Sequence, residues 1–268
     1  YPSCSSVENI IAVLPGQVAE PYVAMMAHYD SVPHAPGAGD DMAGVVAVLE
    51  AARAAKAVGG FRHPIAMLIT DSEETGLHGA HAFFQQHPLA EDIGVLINVE
   101  GSGARGVSQV LRTAGANRWY MELFEDHAKQ PAGTSLANEI FKRMPNDTDF
   151  SVAMAASVPG IDFAFAAERN HYHTMNDSVA NLDPRTVQHH GDNLFPLVLE
   201  LANSSLEATD DSRAVYHQTY GLWAQWPEWA SWFLIAISIV LLVVATVRSA
   251  VSPAHLLCSA LLLPAVLI

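Results

Sequence analysis

Apolar and polar positions alternate in short blocks through most of this chain. Val7 to Leu14 alternates as a strand does and ends at a Pro15-Gly16 turn. Tyr22 to Ala27 is a second strand, apolar almost throughout. Met42 to Ala57 is rich in alanine, and Val45, Val48, Leu49 and Ala52 recur at the spacing of one buried helix face before Gly59-Gly60 stops it. Pro64 to Thr70 is apolar enough to predict a central, parallel strand. A short helix over Leu77 to Gln86 is closed by His87-Pro88, and Ile93 to Val99 reads as a fourth strand. Beyond it, Asn117 to Lys129 and Leu136 to Arg143 read as helices and Pro159 to Phe165 as a strand. Pro184 to Ala208 is a long helix with proline in its first turn. This alternation predicts an α/β domain with a mostly parallel central sheet flanked by helices.

The pattern then changes. Trp229 to Val247 (WASWFLIAISIVLLVVATV) has no polar face, and about 20 such residues cross a bilayer. A second apolar run, Ala254 to Ile268, follows Ser252-Pro253 and is cut by the end of the chain. The expected layout is a globular domain over 1–208, a linker over 209–228 and a transmembrane region over 229–268, in contact with lipid. Arg248 follows the first apolar segment, whereas Asp210, Asp211 and Glu228 precede it. The positive-inside rule then places residues 1–228 on the extracytoplasmic side, in a periplasm or lumen. Tyr1-Pro2-Ser3-Cys4 has no basic n-region and no initiator Met, so it is not a signal peptide and the sequence reads as a piece of a longer chain.

Charge and cysteines narrow the function. A net charge of −15 with only three lysines argues against nucleic acid as a partner. Cys4 and Cys258 stand far apart and support neither a disulfide framework nor a cysteine zinc site.

Sites in parallel sheets form beyond the carboxyl ends of the strands, and chemistry-bearing residues collect there. His28 and Asp30 end the second strand, Glu73-Glu74 follow the third and Glu100 follows the fourth. Asp40-Asp41 stand at the mouth of a helix, and His171, Tyr172, His173 and Asp177 come late in the chain. Imidazole and carboxylate are ligands that suit zinc. Asp30, two residues from His28, is placed to fix an imidazole tautomer. Blander readings exist: Asp40 or Asp41 can cap a helix, and Glu73-Glu74 can simply favour a helix start.

The motifs HYDS, GAGDD, SEETGLHGA, NVEG, NDTDF and YHTMND, in this order over roughly residues 7–207, resemble the M28 family of zinc aminopeptidases. The likeness is strongest to the membrane-anchored branch, and part of the N-terminal region of those relatives is missing here. The resemblance implies a zinc aminopeptidase-like fold and two Zn²⁺ per chain. His28 would bind one ion and His173 the other, Asp40 would bridge them, and Glu74 and Glu100 would complete the two sites. Glu73 matches the general base, Asp30 and Asp41 match supporting positions, and Tyr172 matches a hydrogen-bond donor to the tetrahedral intermediate. Asp41 remains an alternative bridge and His171 an alternative ligand. Asp149 and Asp177 read as hydrogen-bonding supports, Asp177 bracing the loop of His173. Arg105 is either a substrate contact or a loop arginine in solvent.

The implied set is physically coherent. Two zinc ions can share a hydroxide and clamp the scissile carbonyl. Three carboxylates against two Zn²⁺ leave about one net positive charge for a developing oxyanion. The implied activity is that of a dizinc exopeptidase, an aminopeptidase acting on peptides. Its rivals are a single-zinc glutaminyl cyclase, a carboxypeptidase and a catalytically silent membrane scaffold. Two residues depart from common family patterns: Glu100 stands where many soluble relatives carry Asp, and Ser72 where Gly is frequent.

Overall fold

A computed structural model describes residues 6–206 and 212–249. Cys4, Cys258, Asp210, Asp211 and the second apolar run lie outside the described residues. The chain divides after Gln225 into two compact units.

The first unit is built on six strands. β1 (Ile10–Leu14) and β2 (Tyr22–His28) precede helix α1 (Met42–Val58); β3 (Ile65–Thr70), α2 (His78–Gln86) and β4 (Ile93–Gly101) follow. Next come β5 (Gln109–Ala114), α3 (Arg118–His127), α4 (Ser135–Phe141), α5 (Asp149–Ala155), β6 (Gly160–Phe165) and α6 (Pro184–Asn203). The strand order is β1-β3-β2-β4-β6-β5. The four inner strands are parallel, and β1 and β5 run antiparallel to β3 and β6 at the two edges. β3 is buried along its whole length, as its apolar sequence predicts.

One face of the sheet packs under α1, α3 and α6, with Val23, Met25, Ile97, Phe163, Leu197 and Val198 among its buried residues. The buried arc of α1 is rotated towards its alanines: Ala47, Ala51, Ala52 and Ala55 are buried with Val45 and Val48, whereas Leu49 is exposed. Leu49 therefore does not belong to the buried face that its spacing suggested. The opposite face packs Met26, Leu68 and Leu96 against Phe83, Phe150 and Ala153.

The structure departs from the sequence reading in three ways. β5 (QVLRTA) and α5 (DFSVAMA) carry polar residues within their span, so neither stands out as an apolar block. The long helix ends at Asn203, capped by Ser204, before the Ala208 expected. The third departure lies in the segment read as a linker. Its described part holds a hairpin of β7 (Ala214–Thr219) and β8 (Leu222–Pro227).

β7 docks on the domain. Ala214 exchanges hydrogen bonds with the Asn117 side chain, Tyr216 N–H donates to Ser135 Oγ at 2.9 Å, and Gln218 N–H donates to the Gly133 carbonyl. Tyr216 is 1% exposed. Its ring stacks on Trp223 at 5.5 Å, and Trp223 meets Phe124 edge-on. The pattern reads as a linker because only alternate side chains of each short strand turn inward. Tyr216→Ala is expected to destabilise the domain by about 3–5 kcal/mol, as burial of a large aromatic implies. The urea midpoint of the full chain in detergent measures this, and an unchanged midpoint would mean that the hairpin is a dispensable tether.

In the second unit, α7 (Ala230–Ser249) carries the long apolar run. Its residues Ala230–Arg248 have a mean hydropathy of 2.6, are long and apolar enough to cross a membrane, and are not buried against protein.

Candidate metal centre

Neighbouring parallel strands deliver three of the polar clusters to one end of the sheet. His28 is the last residue of β2, Glu73-Glu74 follow β3 on the adjacent strand, and Glu100 stands near the end of β4 on the other side. Two loops bring the rest: Asp40 precedes α1, and His173 lies between β6 and α6. Glycines allow these loops to touch. A Cβ on Gly39 would sit 2.4 Å from the Gly103 carbonyl oxygen, and one on Gly101 would sit 2.1 Å from that of Gly39. No larger residue fits either position without moving the backbone that carries Asp40 or Glu100.

Two triplets result, and Asp40 belongs to both: His28, Asp40 and Glu100 form one; Asp40, Glu74 and His173 form the other. His28 Nε2 lies 3.2 Å from Asp40 Oδ1 and 3.6 Å from Glu100 Oε2. His173 Nε2 lies 3.0 Å from Asp40 Oδ2 and 2.9 Å from Glu74 Oε2. Each oxygen of Asp40 thus faces a different imidazole.

The donors fit zinc. Ligand atoms about 2.0–2.1 Å from a tetrahedral zinc lie about 3.3 Å from one another, which is the range of these separations. His28 Nδ1 lies 3.0 Å from the backbone carbonyl of Asp30. A carbonyl only accepts, so Nδ1 carries a proton, and Nε2 is the nitrogen turned to the carboxylate oxygens. At these distances a cation, either a proton or a metal ion, lies between Nε2 and the carboxylate oxygens. Around His173, Nε2, Asp40 Oδ2 and Glu74 Oε1 are buried and have no aligned hydrogen-bond partner.

The electrostatics agree. Burial, and then the Glu100 carboxylate, push Glu73 up to about 10; burial, and then Asp40, push Glu74 up to about 7. Burial favours the neutral form of His28, yet the Asp30, Asp40 and Glu100 carboxylates outweigh it and raise its pKa well above the ordinary value. Negative charge is in excess here, as it is where a site is made for cations.

Asp30 and Asp177 serve other neighbours than the sequence suggests, whereas Asp41 is the helix cap and Asp149 the hydrogen-bonding support that it offered. The Asp30 carboxylate is 3.5 Å from His28 Nδ1, farther than its own carbonyl oxygen. It accepts instead from the backbone N–H groups of Glu73 at 2.9 Å and Glu74 at 3.2 Å. It holds the turn that carries both glutamates. Asp41 caps α1, Oδ1 accepting from Gly44 N–H, and it is not in either triplet. Asp177 accepts from Gly39 N–H at 2.6 Å and from Asp40 N–H at 3.2 Å, so it braces the Asp40 loop. Its own N–H donates to Thr174 O in the His173 loop. Asp149 is buried at the start of α5 and accepts from the Thr70 hydroxyl.

Two further positions lie outside both triplets. His171 turns its Nδ1 to the Asn176 carbonyl and joins neither triplet. Arg105 pairs with Glu168 at 3.0 Å, half exposed, and does not line the cavity described next.

A cavity of about 390 Å³ opens beside the triplets. Glu73, Glu74, Glu100, Tyr172 and His173 form one wall, and Leu111, Phe141, Met144 and Arg169 are among the others. Tyr172 stacks on the His173 ring at 3.7 Å, and His173 takes a left-handed backbone (φ 56°). Three buried polar residues that sequence reasoning passed over, Asn98, Asp162 and Arg112, lie behind Glu100. The available signal was a charge inside an apolar strand, Asp162 in GIDFAF.

Comparison with known proteins accords with this arrangement. A family model described as Peptidase family M28 matches residues 9–198. The chain is 32% identical over 209 residues to endoplasmic reticulum metallopeptidase 1 of Mus musculus, an alignment of 76% of this chain and 23% of that protein. It is 33% identical over 220 residues to the vacuolar membrane protease of Eremothecium gossypii, covering 80% of this chain and 21% of that one. The chain thus spans less than a quarter of the length of these curated relatives. Among solved structures, the fold is similar to a zinc aminopeptidase from Bacillus subtilis, with TM-score 0.59 and 24% identity over 75% of this chain and 51% of that one. The match across most of its length, with the motif residues gathered at one end of the sheet, makes this chain a member of peptidase family M28, a family of zinc metallopeptidases.

Proposed function

We propose that the chain is the catalytic part of a two-zinc aminopeptidase. One observation carries this reading: the two oxygens of Asp40 face two different histidines, each completed by its own glutamate. His28 and Glu100 would hold one ion, His173 and Glu74 the other, and Asp40 both. Bound zinc would supply a Lewis acid for the scissile carbonyl and lower the pKa of water.

The protein's own groups do the rest. Glu73 stands in the cavity wall outside both triplets. It takes a proton from the attacking water as the C–O bond forms and gives it to the leaving nitrogen as the C–N bond breaks. Tyr172, stacked against His173 in the same wall, donates to the substrate oxygen as charge builds there. Asp30 keeps Glu73 and Glu74 in register with the strand ends.

The peptidase domain would extend through the hairpin to Gln225, on the extracytoplasmic side of a membrane crossed by α7. Arg248 at the far end of that helix supports the orientation. Both curated relatives carry locations in their names, the endoplasmic reticulum for one and the vacuolar membrane for the other.

The test is elemental analysis of the full chain in detergent, with release of N-terminal residues from short peptides. Two zinc ions per chain and stepwise release from the N-terminus are expected, and chelation should abolish both. No metal and no hydrolysis would leave a scaffold. One zinc with cyclisation of N-terminal glutamine would make it a cyclase, and release from the other end a carboxypeptidase. In sealed vesicles with the cytoplasmic face outward, added peptide should be cleaved only after permeabilisation.

A further inference from the structure

Behind Glu100 a row of polar side chains crosses three strands. Asn98 of β4 is in register with Asp162 of β6, and Asp162 with Arg112 of β5. They are 0%, 0% and 4% exposed. Leu96 and Ala114, two positions away on the same side of their strands, pack in an apolar cluster with Phe150 and Ala153. Burying an ion pair beside such a cluster gains little stability over apolar residues of equal size. The row therefore calls for a reason other than stability.

Its bonds form a continuous line. Arg112 Nε donates to Asp162 Oδ2 at 2.8 Å, and its terminal nitrogens donate to the hydroxyls of Ser151 and Thr148. The guanidinium lies over the Phe141 ring at 4.1 Å. The other Asp162 oxygen accepts from Asn98 Nδ2 at 2.9 Å, and the same Nδ2 donates to Glu100 Oε1 at 3.1 Å. An amide nitrogen has two hydrogens, and here each goes to a carboxylate. Both neighbours are acceptors, so the amide cannot turn over without losing both bonds. Glu100 Oε1 is thus occupied, while Oε2 is the oxygen that faces His28.

We propose that Asn98, held in place by the Asp162–Arg112 pair, is a positioning residue that fixes Glu100 so that a single oxygen, Oε2, is presented to the ion shared with His28 and Asp40. The same arginine grips Thr148 and Phe141, which line the cavity. One buried pair therefore sets both a ligand and part of the substrate wall. This inference rests on Glu100 being a metal ligand.

The experiment compares the full chain in detergent as wild type, Asn98→Ala and Asn98→Leu. The leucine variant keeps the branching of asparagine and has no donor, so it decides the matter if the alanine variant does not fold. Zinc is withdrawn with chelators of graded strength, and kcat and KM are measured on short peptides. Loss of an outer hydrogen bond to a ligand weakens metal binding by about 10–100-fold. One of the two ions should be released that much more readily, the other as in wild type, with kcat lowered and KM little changed. A packing role alone would shift the melting temperature and leave the two affinities alike. Wild type with two ions, and variants that hold both as tightly, would overturn this inference and leave the site standing. Wild type without zinc would overturn both.

Discussion

Alanine at position 73 is expected to lower the rate of peptide hydrolysis by about 10²–10⁴-fold while both zinc ions stay bound. Glu73 touches the site without belonging to either triplet, so its removal takes away a proton carrier and no ligand. KM should change little, because the cavity wall around Leu111 and Phe141 is untouched. Glu74, its neighbour, is expected to behave in the opposite way. Its Oε2 lies 2.9 Å from His173 Nε2, and Glu74→Ala should release zinc. Metal content and single-turnover rates of the two variants separate the roles. Equal loss of zinc in both would show that Glu73 is a ligand and that the assignment of a general base is wrong.

Asp30→Ala should cost about 10²-fold in kcat, the usual scale when catalytic groups move by about 1 Å. Both Asp30 oxygens accept from consecutive N–H groups of the Glu73-Glu74 turn. Without them two partly buried donors lose their partner, at about 1–3 kcal/mol each, and the base and a ligand shift together. If Asp30 acted mainly by setting the His28 tautomer, the ion beside His28 would weaken instead. The carbonyl of residue 30 already performs that task at 3.0 Å and survives the substitution. The zinc lost most easily should therefore be the one at Glu74 and His173. Preferential loss at His28, seen by chelator competition against His28→Ala and His173→Ala, would reverse this account.

Much of the site was legible because its residues occupy strand ends, where an apolar run stops abruptly at His28, Glu73-Glu74 or Glu100. Their chain order also follows one family's pattern, which distinguished Glu73 from Glu74 where spacing could not. Less legible was anything decided by one atom over another. Asp30 stands two residues from His28 in either account, and only the fold decides that its carbonyl serves the histidine while its carboxylate serves the glutamates. Asp177 likewise reaches a loop that sequence proximity would not suggest. β5 escaped notice because Arg112 interrupts its apolar run, and that interruption is the residue that anchors the polar row. The β7–β8 hairpin escaped because strands of six residues bury few side chains each.

The bonds from Asp177 to Gly39 and Asp40 join positions separated by 138 and 137 residues. The two histidines belong to equally distant parts of the chain. Translation as far as residue 150 has therefore produced five of the six sheet strands and every carboxylate of the two triplets, but neither His173 nor the clasp that holds Asp40. The triplet of Asp40, Glu74 and His173 cannot yet form. Both triplets can close only once residues 173–177 are in place, by which point all six strands of the sheet have been made.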